Sequence, residues 1–63
     1  MNSDQFAGKW KQVKGDVQSK WGRLTNDHVD EINGNYEKMV GKVQEEYGKS
    51  KEEAEKEVDE YFS

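Results

Sequence analysis

Apolar residues recur along this chain at steps of four and three. Phe6, Trp10, Val13, Val17 and Trp21 are separated by four, three, four and four residues. Tyr36, Met39/Val40, Val43 and Tyr47 repeat the rhythm. That spacing places each set on one side of a 3.6-residue helix, and neither set alternates as a strand does. It predicts two long helices, about Asp4–Trp21 and about Asn35–Tyr47, with Ser3-Asp4 as the first cap. Gly22-Arg23-Leu24 then reads as a turn with Leu24 in the core. Thr25 caps a short second helix with Asn26 and Asp27 in its first turn, where acid suits the positive end of the helix dipole. Val29 and Ile32 point inward, and Asn33-Gly34 ends the helix because both residues tolerate positive φ. Ser50-Lys-Glu-Glu53 is a capping-box pattern. The fourth helix that it opens carries Ala54, Val58 and Tyr61/Phe62 inward.

The two long helices are copies of one frame. Residues 8–22 return as residues 34–48 at a constant offset of 26, with the three glycines, Val17/Val43 and Gln18/Gln44 identical and Trp10 and Trp21 answered by Tyr36 and Tyr47. Gly8, Gly15 and Gly22 are seven apart, as are Gly34, Gly41 and Gly48. Each trio forms a ridge roughly 140° around the helix from the aromatic stripe. Gly22 and Gly48 fall where a helix ends in a left-handed residue. A mid-helix glycine costs about 1 kcal/mol relative to alanine, so Gly15 and Gly41 call for a reason. Close backbone approach, a bend and a tolerated solvated face are the alternatives.

These elements predict an all-α fold: one small four-helix domain over residues 1–63, built as two helical hairpins. The halves, about 3–33 and 34–62, are related by an internal pseudo-twofold repeat and bury both stripes against each other. Sixty-three residues make a marginal domain. Charged residues make up 38% of the chain and mean hydropathy is −1.35, which brings it near the disordered class. Seven aromatics at mostly helical spacing and the absence of proline favour a small aromatic core of low stability.

The ordered set Asn2-x-Asp4, Gly8-x-Trp10, Gly15, Trp21-Gly22-x-Leu24-Thr25, Gly34, Val40-Gly41, Gln44-x-x-Tyr47-Gly48 and Ala54-Glu55-x-x-Val58 resembles the CsbD-like family of small bacterial proteins. The resemblance covers nearly the whole chain, although no single motif in it is specific. It implies a compact all-α domain of two roughly orthogonal hairpins and expression linked to general stress. It implies no established enzymatic activity and no catalytic residues to carry over. Two departures stand out. Acidic residues commonly follow the Leu-Thr pair in the family, whereas Asn26-Asp27-His28 stands here. The chain also stops soon after Val58, which puts in doubt any tail function of longer relatives.

Charge is distributed unevenly. Residues 1–23 carry four lysines and one arginine against two acids, a net +3, and residues 24–63 carry five lysines against twelve acids, a net −7. A basic first helix packed beside acidic ones is the expected use of that asymmetry. Lys9, Lys11, Lys14, Lys20 and Arg23 are the candidate anion or nucleic-acid contacts. The overall charge of −4 argues against non-specific nucleic-acid binding as the main task. Trp10, Trp21, Tyr36 and Tyr47 offer either a base-stacking platform or core; their spacing with valines favours core, and burial of both tryptophans excludes stacking.

Reactive chemistry is sparse. No cysteine is present, so there is neither a disulfide frame nor a thiolate. His28 with Asp27, Asp30 and Glu31 is a poor metal set, with one imidazole and flexible carboxylates. It reads better as a first-turn helix residue near the capping threonine. The glycine ridges lack the ending of a phosphate loop, and no acid spacing fits an EF-hand. Glu45/Glu46 and Glu52/Glu53 sit on polar faces rather than in a pocket that separates their pKa values. No serine has a plausible base. The expectation is therefore a non-enzymatic, stress-associated protein without catalytic residues, metal or cofactor. It acts by interaction with an unknown protein partner or by abundance. No run of residues spans a membrane and no signal-peptide core is present, so a cytoplasmic monomer is expected. The alternative is a nucleic-acid-binding hairpin module using the basic face of helix one. Association with a membrane surface is a third reading, which the acidic total disfavours.

Overall fold

A computed structural model describes residues 3–63. Four α-helices follow in order: α1 Ser3–Lys20, α2 Asn26–Ile32, α3 Tyr36–Tyr47 and α4 Lys51–Phe62. No strand occurs among the described residues. The expected first cap rests on the side chain of Ser3, which lies outside the described residues.

The other caps form where their side chains predict them. Thr25 takes extended backbone and its Oγ1 accepts from the His28 N–H at 3.2 Å. Asn35 Oδ1 accepts from the Lys38 N–H at 2.9 Å, and Ser50 Oγ accepts from the Glu53 N–H at 3.2 Å. Each bond satisfies a donor that the first helical turn leaves free. Asn33 and Gly34 end α2 with φ of 41° and 80°. A side chain at Gly34 would also meet the Trp10 ring, 3.6 Å away. Gly48 closes α3 at φ 64°, its N–H donating to the Gln44 carbonyl at 2.9 Å.

Gly22 departs from expectation. Positive φ is confined to Asn33, Gly34 and Gly48 among the described residues. α1 ends instead by drawing Trp21 and Leu24 into the core, at 2% and 1% exposure. The Leu24 N–H donates to the Trp21 carbonyl at 3.0 Å, closing a tight turn between the two anchors. Gln18 Nε2 donates to the Leu24 carbonyl at 3.0 Å and holds that turn from α1. No left-handed reversal is needed.

One core joins all four helices. Phe6, Trp10, Val17 and Trp21 come from α1 and its end, Ile32 from α2, Met39, Val40 and Val43 from α3, and Ala54, Val58 and Phe62 from α4. Val13, Val29, Tyr36, Tyr47 and Tyr61 pack against it half-buried. Rings fill the space that leucines fill elsewhere: Phe6 lies 4.6 Å from Phe62 and 5.7 Å from Trp10, centroid to centroid. Tyr61 meets Trp21 edge-on at 5.0 Å, a geometry that the ring quadrupole favours. α4 lies along α3, α2 also packs on α3, and α1 meets α3 and, through Phe6 and Trp10, the Phe62 ring of α4.

The glycines of α1 lie on its exposed face. A Cβ built at Gly8, Gly15, Gly22 or Gly41 meets nothing within 4 Å, so no other described part of the chain makes the close approach that such glycines would permit.

Candidate functional site

The five basic candidates do not share one surface. At about 100° per residue, Lys9 and Lys20 fall on one flank of the α1 apolar stripe and Lys11 and Lys14 on the other. Lys9 Nζ donates to the Phe62 carbonyl at 2.5 Å, placing a cation at the negative end of α4. The Arg23 N–H donates to the Tyr47 hydroxyl at 3.0 Å, and its guanidinium reaches the Glu46 carbonyl at 3.4 Å. The same guanidinium sits 5.8 Å from the Tyr47 ring centroid, within cation–π range. Lys20 lies 5.8 Å over the Trp21 ring. Lys11 and Lys14 are exposed and make no hydrogen bond or ion pair with any described residue.

The expected electrostatic pairing of α1 with its acidic neighbours does not take the form of salt bridges. Among the described residues, ion pairs join only α2, α3, α4 and the α3–α4 loop. Lys42 of α3 reaches Glu31 of α2 at 2.6 Å and Glu45 at 3.7 Å. Its hydrogen bond to Lys42 holds the Glu31 carboxyl below the usual range, and the same bond raises Lys42. Lys49 pairs with Glu57. Lys9 lies beside a carbonyl and Lys20 over an aromatic face, rather than either beside a carboxylate.

Two ties between helices use acids that the sequence did not single out. The Trp21 indole N–H donates to Glu57 Oε1 at 3.1 Å. The Tyr36 hydroxyl donates to Asp59 Oδ1 at 2.7 Å. Burial, then the bond to Asp59, pushes the Tyr36 hydroxyl well above its usual range. Glu57 and Asp59 stand in a run of acids indistinguishable, residue by residue, from a solvated face. The one available signal was the need of a buried indole or phenol for a partner.

His28 completes a capping box. Its Nδ1 accepts from the Thr25 N–H at 3.2 Å, and its Nε2 lies 3.9 Å from Glu46 Oε2. The described residues hold no group of three or more His, Cys, Asp or Glu arranged to take a metal ion. Trp10 and Trp21 are 5% and 2% exposed, which excludes base stacking on the α1 rings. The surface grooves are open. One of about 390 Å³ between α2 and α3 is lined by Glu31, Lys38, Gly41, Lys42 and Glu45, and Lys42 pairs with both glutamates there. Another of about 370 Å³ lies between α3 and α4, beside Tyr36, Val40, Gln44 and Glu55. Neither brings a nucleophile to a base. No described helix is long and apolar enough to cross a membrane.

The family described as CsbD-like matches residues 4–56. The chain is 54% identical over 57 residues to a UPF0337 protein of Protochlamydia amoebophila, covering 90% of this chain and 86% of that protein. It is 50% identical over 62 residues to a UPF0337 protein of Bordetella pertussis, covering 98% and 94%. It is 49% identical over 58 residues to the UPF0337 protein YjbJ of Escherichia coli K12, covering 92% and 84%. No solved structure matches it. With a matched span running from the first turn of α1 into α4, the chain belongs to the CsbD-like family.

Proposed function

We propose that this protein is a non-enzymatic component of the bacterial general stress response, acting in the cytoplasm as a monomer, by interaction or by abundance. The observation that carries this reading is where the polar side chains go. Those with reactive potential are engaged in pairs that cap helices or tie them together: Thr25 with His28, Ser50 with Glu53, Trp21 with Glu57, Tyr36 with Asp59. Membership of the CsbD-like family supports the link to stress. A deletion strain should survive osmotic, acid and stationary-phase stress less well than its parent, and re-expression should restore it. Equal survival under all three conditions overturns the reading.

The finer architecture belongs to the same proposal: two hairpins, α1–α2 and α3–α4, roughly orthogonal and related by a pseudo-twofold axis. Its support is local. Tyr36, Val40, Gln44 and Glu55 line the α3–α4 groove, and Trp10, Lys14, Gln18 and Val29, each 26 residues earlier, line the α1–α2 groove. A solution or crystal structure in which residues 8–22 fail to superpose on residues 34–48 ends it.

A nucleic-acid module on the basic face of α1 is the second reading. Lys11 and Lys14 favour it, since they share one flank of α1 and both are exposed and outside any ion pair with a described residue. Two phosphate contacts give a salt slope of about −2. Absence of binding to single- and double-stranded DNA and RNA at low salt removes it.

A further inference from the structure

α2 and α4 open with the same reciprocal cap built on different acceptors. At α4 the Ser50 N–H donates to Glu53 Oε1 at 3.3 Å, and the Glu53 N–H donates to Ser50 Oγ at 3.2 Å. At α2 the Thr25 N–H donates to His28 Nδ1 at 3.2 Å, and the His28 N–H donates to Thr25 Oγ1 at 3.2 Å. A carboxylate accepts across the neutral range, whereas a ring nitrogen accepts only while it carries no hydrogen. In the neutral ring that bond leaves the hydrogen on Nε2, which faces Glu46 Oε2 at 3.9 Å.

The charges around the ring come from three elements. Glu46 approaches from α3. Asp27 and Glu31 share α2, and Glu31 is held by Lys42 of α3. Arg23, in the α1–α2 loop, is occupied by the Glu46 carbonyl and the Tyr47 ring. The two cations are engaged with other groups, and the Glu46 carboxylate, 3.9 Å from Nε2, is the charge within ion-pair reach of the imidazole. A positive ring at the start of a helix is also disfavoured by the dipole, unless it turns toward that carboxylate.

We propose that His28 makes the α1–α2 junction responsive to pH: the neutral imidazole caps α2 through Nδ1, and the imidazolium releases the Thr25 N–H and pairs with Glu46 of α3. One proton taken from solvent at Nδ1 converts an acceptor into a donor, and nothing else changes hands. Leu24, buried and held by Gln18, limits the release to Thr25 and the first turn of α2.

The test compares the two caps within one molecule. Amide exchange of the full chain is followed by NMR at about pH 7.5 and about pH 5, between which an imidazole changes charge, with intrinsic rates corrected. Protection of the Thr25 amide falls roughly fivefold at the lower pH, the equivalent of one cap. The Ser50 amide holds, because its bonds to Ser50 keep the Glu53 carboxyl below the usual range. Ring nitrogen shifts place the hydrogen of the neutral form on Nε2. His28→Gln keeps an acceptor that does not titrate and abolishes the pH dependence at Thr25. Equal protection of Thr25 at both pH values, the same loss in His28→Gln, or a neutral ring with its hydrogen on Nδ1 each overturns the proposal.

Discussion

The indole of Trp21 and the carboxylate of Glu57 are hydrogen-bonded at 3.1 Å across 36 residues of sequence. Trp21 is 2% exposed, and Glu57 also pairs with Lys49. One carboxylate thus ties the end of α1 to α4 and to the loop before it. Glu57→Ala leaves a buried indole donor without its acceptor and is expected to cost about 1–3 kcal/mol. Glu57→Gln keeps an acceptor and loses only the partly exposed ion pair, at about 0–1 kcal/mol. Urea denaturation of the two variants separates these values.

Gly15→Ala and Gly41→Ala are each expected to stabilise the fold, by about 0.5–1 kcal/mol. Both glycines lie inside helices, and a Cβ at either meets nothing within 4 Å, so helix propensity decides the sign. Gly48→Ala is expected to destabilise, because its φ of 64° strains an alanine. Thermal unfolding midpoints that move in opposite directions check the set.

The basic residues of α1 and of the α1–α2 loop divide by their contacts. Lys9→Ala removes the Lys9 bond to the Phe62 carbonyl, and Arg23→Ala removes the guanidinium from Glu46 and Tyr47. Each is expected to cost about 0.5–1.5 kcal/mol. Lys11→Ala and Lys14→Ala are expected to stay within about 0.5 kcal/mol of the parent. Chemical unfolding of the four single variants is the measurement.

Phe62 touches Phe6, Trp10 and Tyr61. Phe62→Ala is expected to cost about 3–5 kcal/mol, against a total stability of about 3–9 kcal/mol for a domain of this length. Near-ultraviolet circular dichroism should show lost aromatic packing at room temperature.

Stability is expected to fall at alkaline pH. The Tyr36 hydroxyl is raised above its ordinary 10.0 by burial and by the bond to Asp59. Burial and the nearby Asp16 raise Tyr61 in the same direction. A phenol whose folded value lies above its unfolded value stabilises fully below pH about 10, and that stability is lost as pH rises toward the folded value. Tyr36→Phe should flatten this alkaline limb in unfolding measured against pH. On the acid side Glu31 and Glu53 are lowered from 4.5, so their contribution is present above that value and is lost as pH falls below it.

Periodicity and caps made the four helices legible before any coordinates. The Phe6–Trp21 stripe, the Thr25 and Ser50 caps and the Asn33-Gly34 stop all depend on neighbours within four residues, and those neighbours are written in order along the chain. The burial of Ile32 and Val58 was read from their place on the helices that those caps open, and that of Leu24 from its place in the turn after α1. Partners distant along the chain were another matter. Whether Lys9 meets a carboxylate or a carbonyl, whether Glu57 faces water or an indole, and whether Gly22 must turn left-handed are set by how the helices cross. A row of Glu and Lys has the same period whichever of its members faces a neighbour, so only the packed aromatic core selects which of them become ties and which remain solvated.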